Sequence, residues 1–484
     1  MEERETEKAR SGTGADVRGL DTGDVLEKFM EYPLTDIGSS KLYADMFKNK
    51  LRFVRELGVF YYYNGNVWIK DVNGVYAKRL AKKFAINLIE KANRIADDEM
   101  RGKYVKYYNK FNGYNSREKL VKDAQSVYFI EFSEFDKKSY LYNCQNGTFN
   151  LKTGKLQEHN ADDLLTQISN VAYDPKAKCE RWERFVDEVM KEDRASKNLL
   201  QMISGYCLSG TTQFECFFML YGKSTRNGKG TFNSTMMKMH GDYAKVLNPE
   251  SLTVKSFYSN SEAPNESIAN LAGARYVCVS EPGENMVLNS DLVKTLTGGD
   301  PIKARFLRQN SFTYIPAFKI VINTNFLPKI LDDTIFSSDR LILLNFNAHF
   351  DQNSRDNTLK SKLIKPGALS GIFNWCYEGY RMLDNAGKFE IPAESKVLFD
   401  KYRDESDTIG QFINECLVKS EGARTKFKSV FDEYKNWTKD NGYKQCSRRT
   451  LRGKMEKYAE VKVYHKQEFL LDYEVLEDVK IPFS

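Results

Sequence analysis

The run Phe217-Phe218-Met219-Leu220-Tyr221-Gly222-Lys223-Ser224-Thr225-Arg226-Asn227-Gly228-Lys229-Gly230-Thr231 decides the reading of this chain. An apolar stretch breaks into a glycine-flanked loop holding a lysine, and a helix-compatible segment follows. That is the layout of a phosphate-binding loop. Backbone N–H groups and a helix N-terminus face the phosphates, and the lysine, here Lys229, neutralises the terminal ones. The general pattern GxxxxGK[ST] has four residues between its glycines. Here five separate Gly222 from Gly228, and Gly230 stands where the magnesium-binding hydroxyl belongs. Thr231 is the nearest hydroxyl and takes that role in our reading. The alternative is a glycine-rich surface turn.

Working outward, the next apolar strand is Tyr276-Val277-Cys278-Val279-Ser280, ending in Glu281. A carboxylate at the carboxyl end of a buried strand beside such a loop can hold magnesium through water and orient an attacking water. Glu284 is a weaker candidate for the same work, and capping of the following segment is the plain alternative for Glu281. A third strand, Phe318 to Asn323, runs into Thr324-Asn325-Phe326-Leu327-Pro328, and an amide there can sense a terminal phosphate. Ligands of open α/β sheets sit at the carboxyl ends of strands. One nucleotide can therefore meet Lys229, Glu281 and Asn325 together. Arg340 precedes its strand, Leu341 to Phe346, and so points elsewhere, toward a neighbouring subunit or toward Asp332 or Asp333 of its own chain.

Between Glu281 and Asn325 lies an alternating arm with Lys303 and Arg305 on one face and Ile302, Ala304 and Phe306 on the other. A turn at Arg308-Gln309-Asn310-Ser311 and an aromatic return complete a hairpin. Its basic face, with Lys303, Arg305 and Arg308, suits the phosphates of a single strand. A solvated edge hairpin guarded by cations is the alternative.

The flanks divide the chain. Residues 1–24 are charged, lack apolar periodicity and read as a disordered lead-in. Residues 25–180 read as an α+β domain. Phe60 to Trp68 is strand, Asn-Gly turn, strand; Val75 to Lys122 is helical; Tyr140 to Leu156 holds further strands. Its aromatics read as core rather than as base-stacking platforms. Residues 181–350 form the α/β unit, opened by a helical stretch over 181–213, and 351–408 is helical. Residues 409–484 run helix, turn, basic helix (Ser447 to Tyr458, with Arg448, Arg449 and Arg452), hairpin, which is the order of a winged-helix module.

The 484 residues suit about three domains. No apolar run nears the roughly 18 residues that span a membrane, and Met1 to Arg10 is charged rather than signal-like. An intracellular, membrane-free protein is expected. The eight cysteines form no CxxC pair and the four histidines are far apart, which argues against a zinc finger. The net charge of +7 is mild, so local clusters must carry any nucleic-acid argument.

The combination resembles the superfamily 3 helicases, which are AAA+ ring ATPases. More narrowly it is similar to the carboxy-terminal helicase module of phage- and plasmid-encoded primase/helicase proteins, a group related to the poxvirus primase-helicase. The matching segments are Tyr221-Gly222 through Asn227-Gly228-Lys229-Gly230-Thr231, Ser280-Glu281-Pro282, Leu296-Thr297-Gly298-Gly299-Asp300, Phe318 through Asn325 with Pro328, and Phe336-Ser337-Ser338-Asp339-Arg340. Asn143 to Thr166 resembles the domain that precedes the ATPase in that group.

The resemblance implies an α/β AAA+ core, an amino-terminal α+β domain and a winged-helix tail. It implies that Gly222, Asn227, Gly228, Lys229, Gly230 and Thr231 cradle ATP. Thr231 and Glu281 then serve Mg2+, Glu281 is the hydrolytic carboxylate, Asn325 the sensor and Arg340 the finger. Implied partners are single-stranded and forked DNA, further copies of the chain in a hexameric ring, origin duplex DNA and replication proteins of a mobile element. The implied compartment is the cytoplasm, that of a bacterial host for a phage or plasmid. Two other readings stay open. One is a primase-helicase that also makes primers, although no Asp-x-Asp strand or zinc spacing supports it. The other is an origin-binding initiator whose ATPase drives assembly.

Overall fold

The computed structural model describes residues 22–254, 265–284, 286–351, 356–441, 443 and 445–476. Most of the expected lead-in, residues 1–21, lies outside them, while Thr22–Glu27 is helical. The protein is a mixed α/β structure. Among the described residues no helix is long and apolar enough to cross a membrane.

Strands β1 (Leu51–Val54), β2 (Val59–Tyr63), β3 (Trp68–Lys70) and β4 (Phe129–Ile130) form a sheet in the order β3-β2-β1-β4. Helices Val75–Ala92, Asp98–Tyr108 and Tyr114–Ala124 share one apolar cluster beside it, built around Phe84, Leu88, Tyr108 and Phe111. Most of the aromatics are core, as expected, while Tyr114 and Phe129 are exposed. Trp68 is 1% exposed, and its indole N–H donates to the Ala161 carbonyl at 2.8 Å. A second small sheet, β5 (Leu141–Cys144), β6 (Gly147–Asn150) and β7 (Lys155–Gln157), turns at Gln145-Asn146 and over 151–154.

The central sheet is parallel throughout. It holds β8 (Phe217–Tyr221), β9 (Ala244–Val246), β10 (Tyr276–Ser280), β13 (Lys319–Thr324) and β14 (Leu341–Asn345) in the order β14-β8-β13-β10-β9. Both faces are covered, which is why these strands read as unbroken apolar runs. Phe218, Leu220, Cys278, Val321, Ile342 and Leu344 face one core, with Trp182, Phe232 and Trp375. Phe217, Met219, Val277, Val279, Ile320 and Ile322 face the other. The helical stretch expected over 181–213 is two helices, Glu180–Val189 and Arg194–Tyr206, and stops short of its predicted end. There Cys207, Leu208 and Ser209 turn away through 3.0 to 3.2 Å backbone bonds.

Strands β11 (Ile302–Arg305) and β12 (Ser311–Tyr314) form the predicted two-stranded hairpin. The tail begins with the helix Thr408–Cys416 and runs into β15 (Leu417–Lys426), the helices Phe427–Asp440 and Arg448–Met455, β16 (Val461–Tyr464) and β17 (Gln467–Val475). Its sheet order is β15-β17-β16. The basic helix is shorter than expected. Ser447 caps it, accepting the Thr450 N–H at 3.2 Å, and it ends at Met455.

Candidate nucleotide cleft and its surroundings

The loop after β8 and the ends of β10 and β13 enclose a cleft of about 190 Å3. Arg226, Asn227, Lys229, Gly230, Asn233, Glu281, Asn323 and Asn325 are among its lining residues. The site lies beside β8, the point where the chain's strand order reverses, from β14 on one side to β13 on the other. Such switch points open crevices at the carboxyl edge of parallel sheets.

The loop is braced from within. The Asn227 amide donates to the Ser224 carbonyl at 2.6 Å and to the Gly222 carbonyl at 3.4 Å, and its oxygen accepts the Lys229 N–H at 3.4 Å. A side chain at Gly222 would not fit, because its Cβ would stand 2.2 Å from Nδ2 of Asn227 and 2.8 Å from the Lys229 ammonium. Gly228 has φ 91°, and a Cβ there would lie 2.3 Å from Val189. Both glycines are therefore dictated by close approach, and Gly228 also by its left-handed backbone. Gly230 faces open space. The far side of the loop is held by the segment after β14. Phe350 N–H donates to the Arg226 carbonyl at 2.9 Å, and His349 Nδ1 lies 3.2 Å from the Thr225 carbonyl.

Lys229 opens the helix Lys229–His240 and is 7% exposed. Its Nζ donates to Asn325 Oδ1 at 2.8 Å and to the Gly222 carbonyl at 3.1 Å. Burial pulls its pKa down to about 8, against the opposing pull of the Glu281 carboxylate. Neutral oxygens are poor company for a buried ammonium, and an anionic ligand restores the balance. Glu281 itself is exposed, with φ 54°. A residue with a side chain holds that conformation at a cost of roughly 1–3 kcal/mol. Its N–H donates to the Asn323 carbonyl at 2.9 Å, which fixes the turn that swings the carboxylate to the rim. Lys229, Glu281 and Asn325 thus meet in one place.

Thr231 is half-buried in the first helical turn and is absent from the cleft lining, where Gly230 and Asn233 are found instead. Glu284 is exposed and also outside the lining. Arg340 lies at the amino end of β14, the opposite edge of the sheet from Lys229. The in-chain partners weighed for it, Asp332 and Asp333, are corrected by the structure. Arg340 pairs with the Glu215 carboxylate and donates to Thr297 Oγ1 at 3.1 Å. Asp332 instead takes Lys294, and Asp333 takes Lys457 from the turn that follows the tail helix.

The hairpin alternates as expected. Ile302, Ala304, Phe312 and Tyr314 are buried, Lys303 and Arg308 are exposed, and Arg305 is half-buried. Phe312 packs edge-on against Phe132 at 4.6 Å, and Lys70 donates to Gln309 Oε1 at 3.3 Å, so the amino-terminal sheet supports the hairpin.

On the tail helix the basic face is partly neutralised, a point that helical periodicity alone misses. Glu468 of β17 accepts from Arg448 at 2.7 Å and from Arg452 at 2.8 Å. Arg449 is exposed and has no ion-pair partner among the described residues. Two further polar residues of the site, Asn233 and Asn323, were not singled out from the sequence. Asn233 sits in mid-helix and Asn323 inside an apolar strand, and neither setting carries a motif.

Residues 40–191 match the family described as D5 N terminal like, and residues 404–479 match the family described as Poxvirus D5 protein-like. The chain is similar to a putative helicase of Acanthamoeba polyphaga mimivirus, at 24% identity over 80% of this chain and 44% of that protein. It is also similar to a putative helicase of Invertebrate iridescent virus 3, at 21% identity over 68% of this chain and 38% of that protein. A putative helicase of Frog virus 3 is 25% identical over 44% of this chain and 23% of its own length. The chain therefore spans less than half the length of these relatives. Among solved structures, the apo NrS-1 C terminal region covers 89% of this chain and 98% of its own, with 10% identity and a TM-score of 0.49. The chain is thus similar to D5-type proteins in two separate segments and to viral putative helicases over most of its length.

Proposed function

We propose that the protein is an ATP-driven DNA helicase that serves the replication of a virus or related mobile element. In this reading the central parallel sheet is the core of a superfamily 3, AAA+ type motor. The observation that carries it is the meeting of a buried lysine, an exposed carboxylate and an amide, from three strand ends, in one cleft under a glycine-braced loop. The matches to viral putative helicases and to two D5-type families support the DNA-unwinding part.

The residues fit a nucleotide with magnesium. Among the described residues Lys229 has neutral oxygens as its hydrogen-bond partners, and Gly222 and Gly228 leave backbone where side chains would intrude. Lys229 holds the terminal phosphates of ATP. Glu281 receives the proton of the attacking water, and Asn325, bonded to Lys229, reports the terminal phosphate. Glu281, through water, and Thr231, the hydroxyl nearest the lysine in sequence though outside the cleft lining, would be the residues to hold Mg2+, which would supply neutralising charge for the phosphates when bound. Lys303, Arg305 and Arg308 grip single-stranded DNA. In a closed hexameric ring, Arg340 exchanges Glu215 for the phosphate of the neighbouring subunit. Its position on the edge away from its own cleft supports that assignment. The tail serves as a winged-helix module for duplex or forked DNA, with Arg449 the readiest contact. That exposed arginine also favours a second reading, an origin-binding initiator, in which the same ATPase drives assembly.

The test compares Lys229→Ala with Glu281→Gln. The first removes the charge that holds the ground state; the second removes a group used in the transition state. Lys229→Ala is expected to lose nucleotide binding, and Glu281→Gln to keep binding but lose turnover. Hydrolysis by Lys229→Ala equal to that of wild type would sink the assignment.

A further inference from the structure

Asn323, the fifth residue of β13, stands two positions before Asn325 and opposite Ser280 in the parallel register. It is 7% exposed, yet it lines the cleft. One end of its amide points to sulfur, with Nδ2 donating to Cys278 Sγ at 3.5 Å. The other end, Oδ1, is buried and has no hydrogen-bond partner. Buried polar atoms of native proteins are nearly always paired, so an orphan at a ligand cleft marks a place where a donor arrives with the ligand.

The surroundings fix that amide. Asn233 donates to the same Cys278 sulfur at 2.9 Å and accepts the Tyr276 hydroxyl at 2.8 Å. Ser280 Oγ lies 3.1 Å from the sulfur. Cys278 is thereby a hub that three neighbouring polar side chains share, and the residue it leaves with a spare acceptor is Asn323. By contrast, the Asn325 oxygen is already used by Lys229. The Asn323 main-chain carbonyl also receives the Glu281 N–H, so the amide and the carboxylate are tied to one point of backbone.

We infer that Asn323 is a catalytic residue that holds the attacking water. This rests on the ATP-hydrolysis reading above. Asn323 Oδ1 accepts one O–H of the water, and the Glu281 carboxylate accepts the other. The water oxygen bonds to the terminal phosphorus while the bond from that phosphorus to the bridging oxygen breaks. The electron pair of the broken bond leaves on ADP, and the released proton goes to Glu281. Asn233, acting through Cys278, is a positioning residue for the same amide.

The experiment measures affinity for a fluorescent ATP analogue, steady-state turnover of ATP and thermal unfolding. It uses wild type, Lys229→Ala, Asn323→Ala, Asn323→Leu and Asn323→Asp. Leucine has nearly the volume of asparagine, so it preserves the test should the alanine variant fail to fold. Asn323→Ala and Asn323→Leu are expected to bind the analogue within about threefold of wild type and to turn over at least about a hundredfold more slowly, the low end of the effect seen for single groups that act on a reacting proton. Asn323→Asp keeps the acceptor and is expected to recover part of the lost turnover. Wild-type turnover in a folded Asn323→Leu would overturn the inference. So would losses in binding and turnover that match, or an aspartate variant no faster than leucine. Hydrolysis absent from the wild type, or unchanged by Lys229→Ala, would instead bring down the ATPase reading on which the inference stands.

Discussion

On the proposed reading, the depressed pKa of Lys229 should make nucleotide affinity a function of pH. Its ammonium titrates at about 8 because burial penalises the charge, with Glu281 opposing. With that pKa, the charged fraction falls from about nine-tenths at pH 7 to about one-tenth at pH 9. Bound phosphates hold the proton in place by raising the pKa of the complex. The apparent Kd for ATP should therefore weaken about tenfold over this interval, or about 1.4 kcal/mol. Binding at pH 8 should also take up roughly half a proton. The terminal phosphate itself titrates near about pH 6, below the window. Calorimetry in two buffers of different ionisation heat reads both quantities. Lys229→Arg carries a charge that does not titrate here, and it should flatten the profile. A flat profile for the wild type, or an unchanged slope for Lys229→Arg, would refute the reasoning. The stability of the free protein follows the opposite course. The folded lysine releases its proton at about 8 and the unfolded one only at its ordinary 10.5. The burial penalty is thus full below pH 8 and fades as pH rises through that window.

Three other outcomes follow from the geometry. Replacing Lys303, Arg305 and Arg308 together should lower single-strand affinity and flatten its salt dependence, because fewer counterions are released; a salt titration with an unchanged slope would move the DNA path elsewhere. Arg275 is 2% exposed and its guanidinium donates to the carbonyls of Leu141 and Leu208, so Arg275→Ala should cost at least about 2 kcal/mol in denaturant unfolding, from two orphaned acceptors; a smaller loss would mean that the junction between the β5 strand and the central sheet rests on packing alone. Mixing Arg340→Ala with Lys229→Ala, each inactive alone, should restore partial ATPase activity in mixed rings; no recovery in rings confirmed by light scattering would leave Arg340 with its in-chain roles at Glu215 and Thr297.

The parts legible in the sequence were those governed by near neighbours. Phe217 to Leu220 and Tyr276 to Val279 are buried on both faces, so their composition alone marks them as interior strands. The hairpin shows because burial alternates residue by residue from Ile302 to Arg305. The strand Leu417–Lys426 was missed because it is charged and mostly exposed and gains its place by pairing with β17. Partners distant in sequence were equally hidden. The pairing of Arg340 with Glu215 spans 125 positions, and that of Asn233 with Cys278 spans 45. No local pattern foretells either. The neutralising role of Glu468 depends on how β17 folds back over the tail helix, so the basic cluster at Arg448, Arg449 and Arg452 looked freer in sequence than it is.

The central claim is that ATP turnover in this cleft separates DNA strands. Its most direct measurement is strand displacement from forked duplexes bearing single-stranded tails of either polarity, followed by fluorescence with ATP and Mg2+. Wild type is expected to release the labelled strand from one tail polarity only. Neither Lys229→Ala nor Glu281→Gln should release it. Displacement that persists without ATP or in Lys229→Ala, or duplex binding with no displacement by a wild type that hydrolyses ATP, would contradict the account.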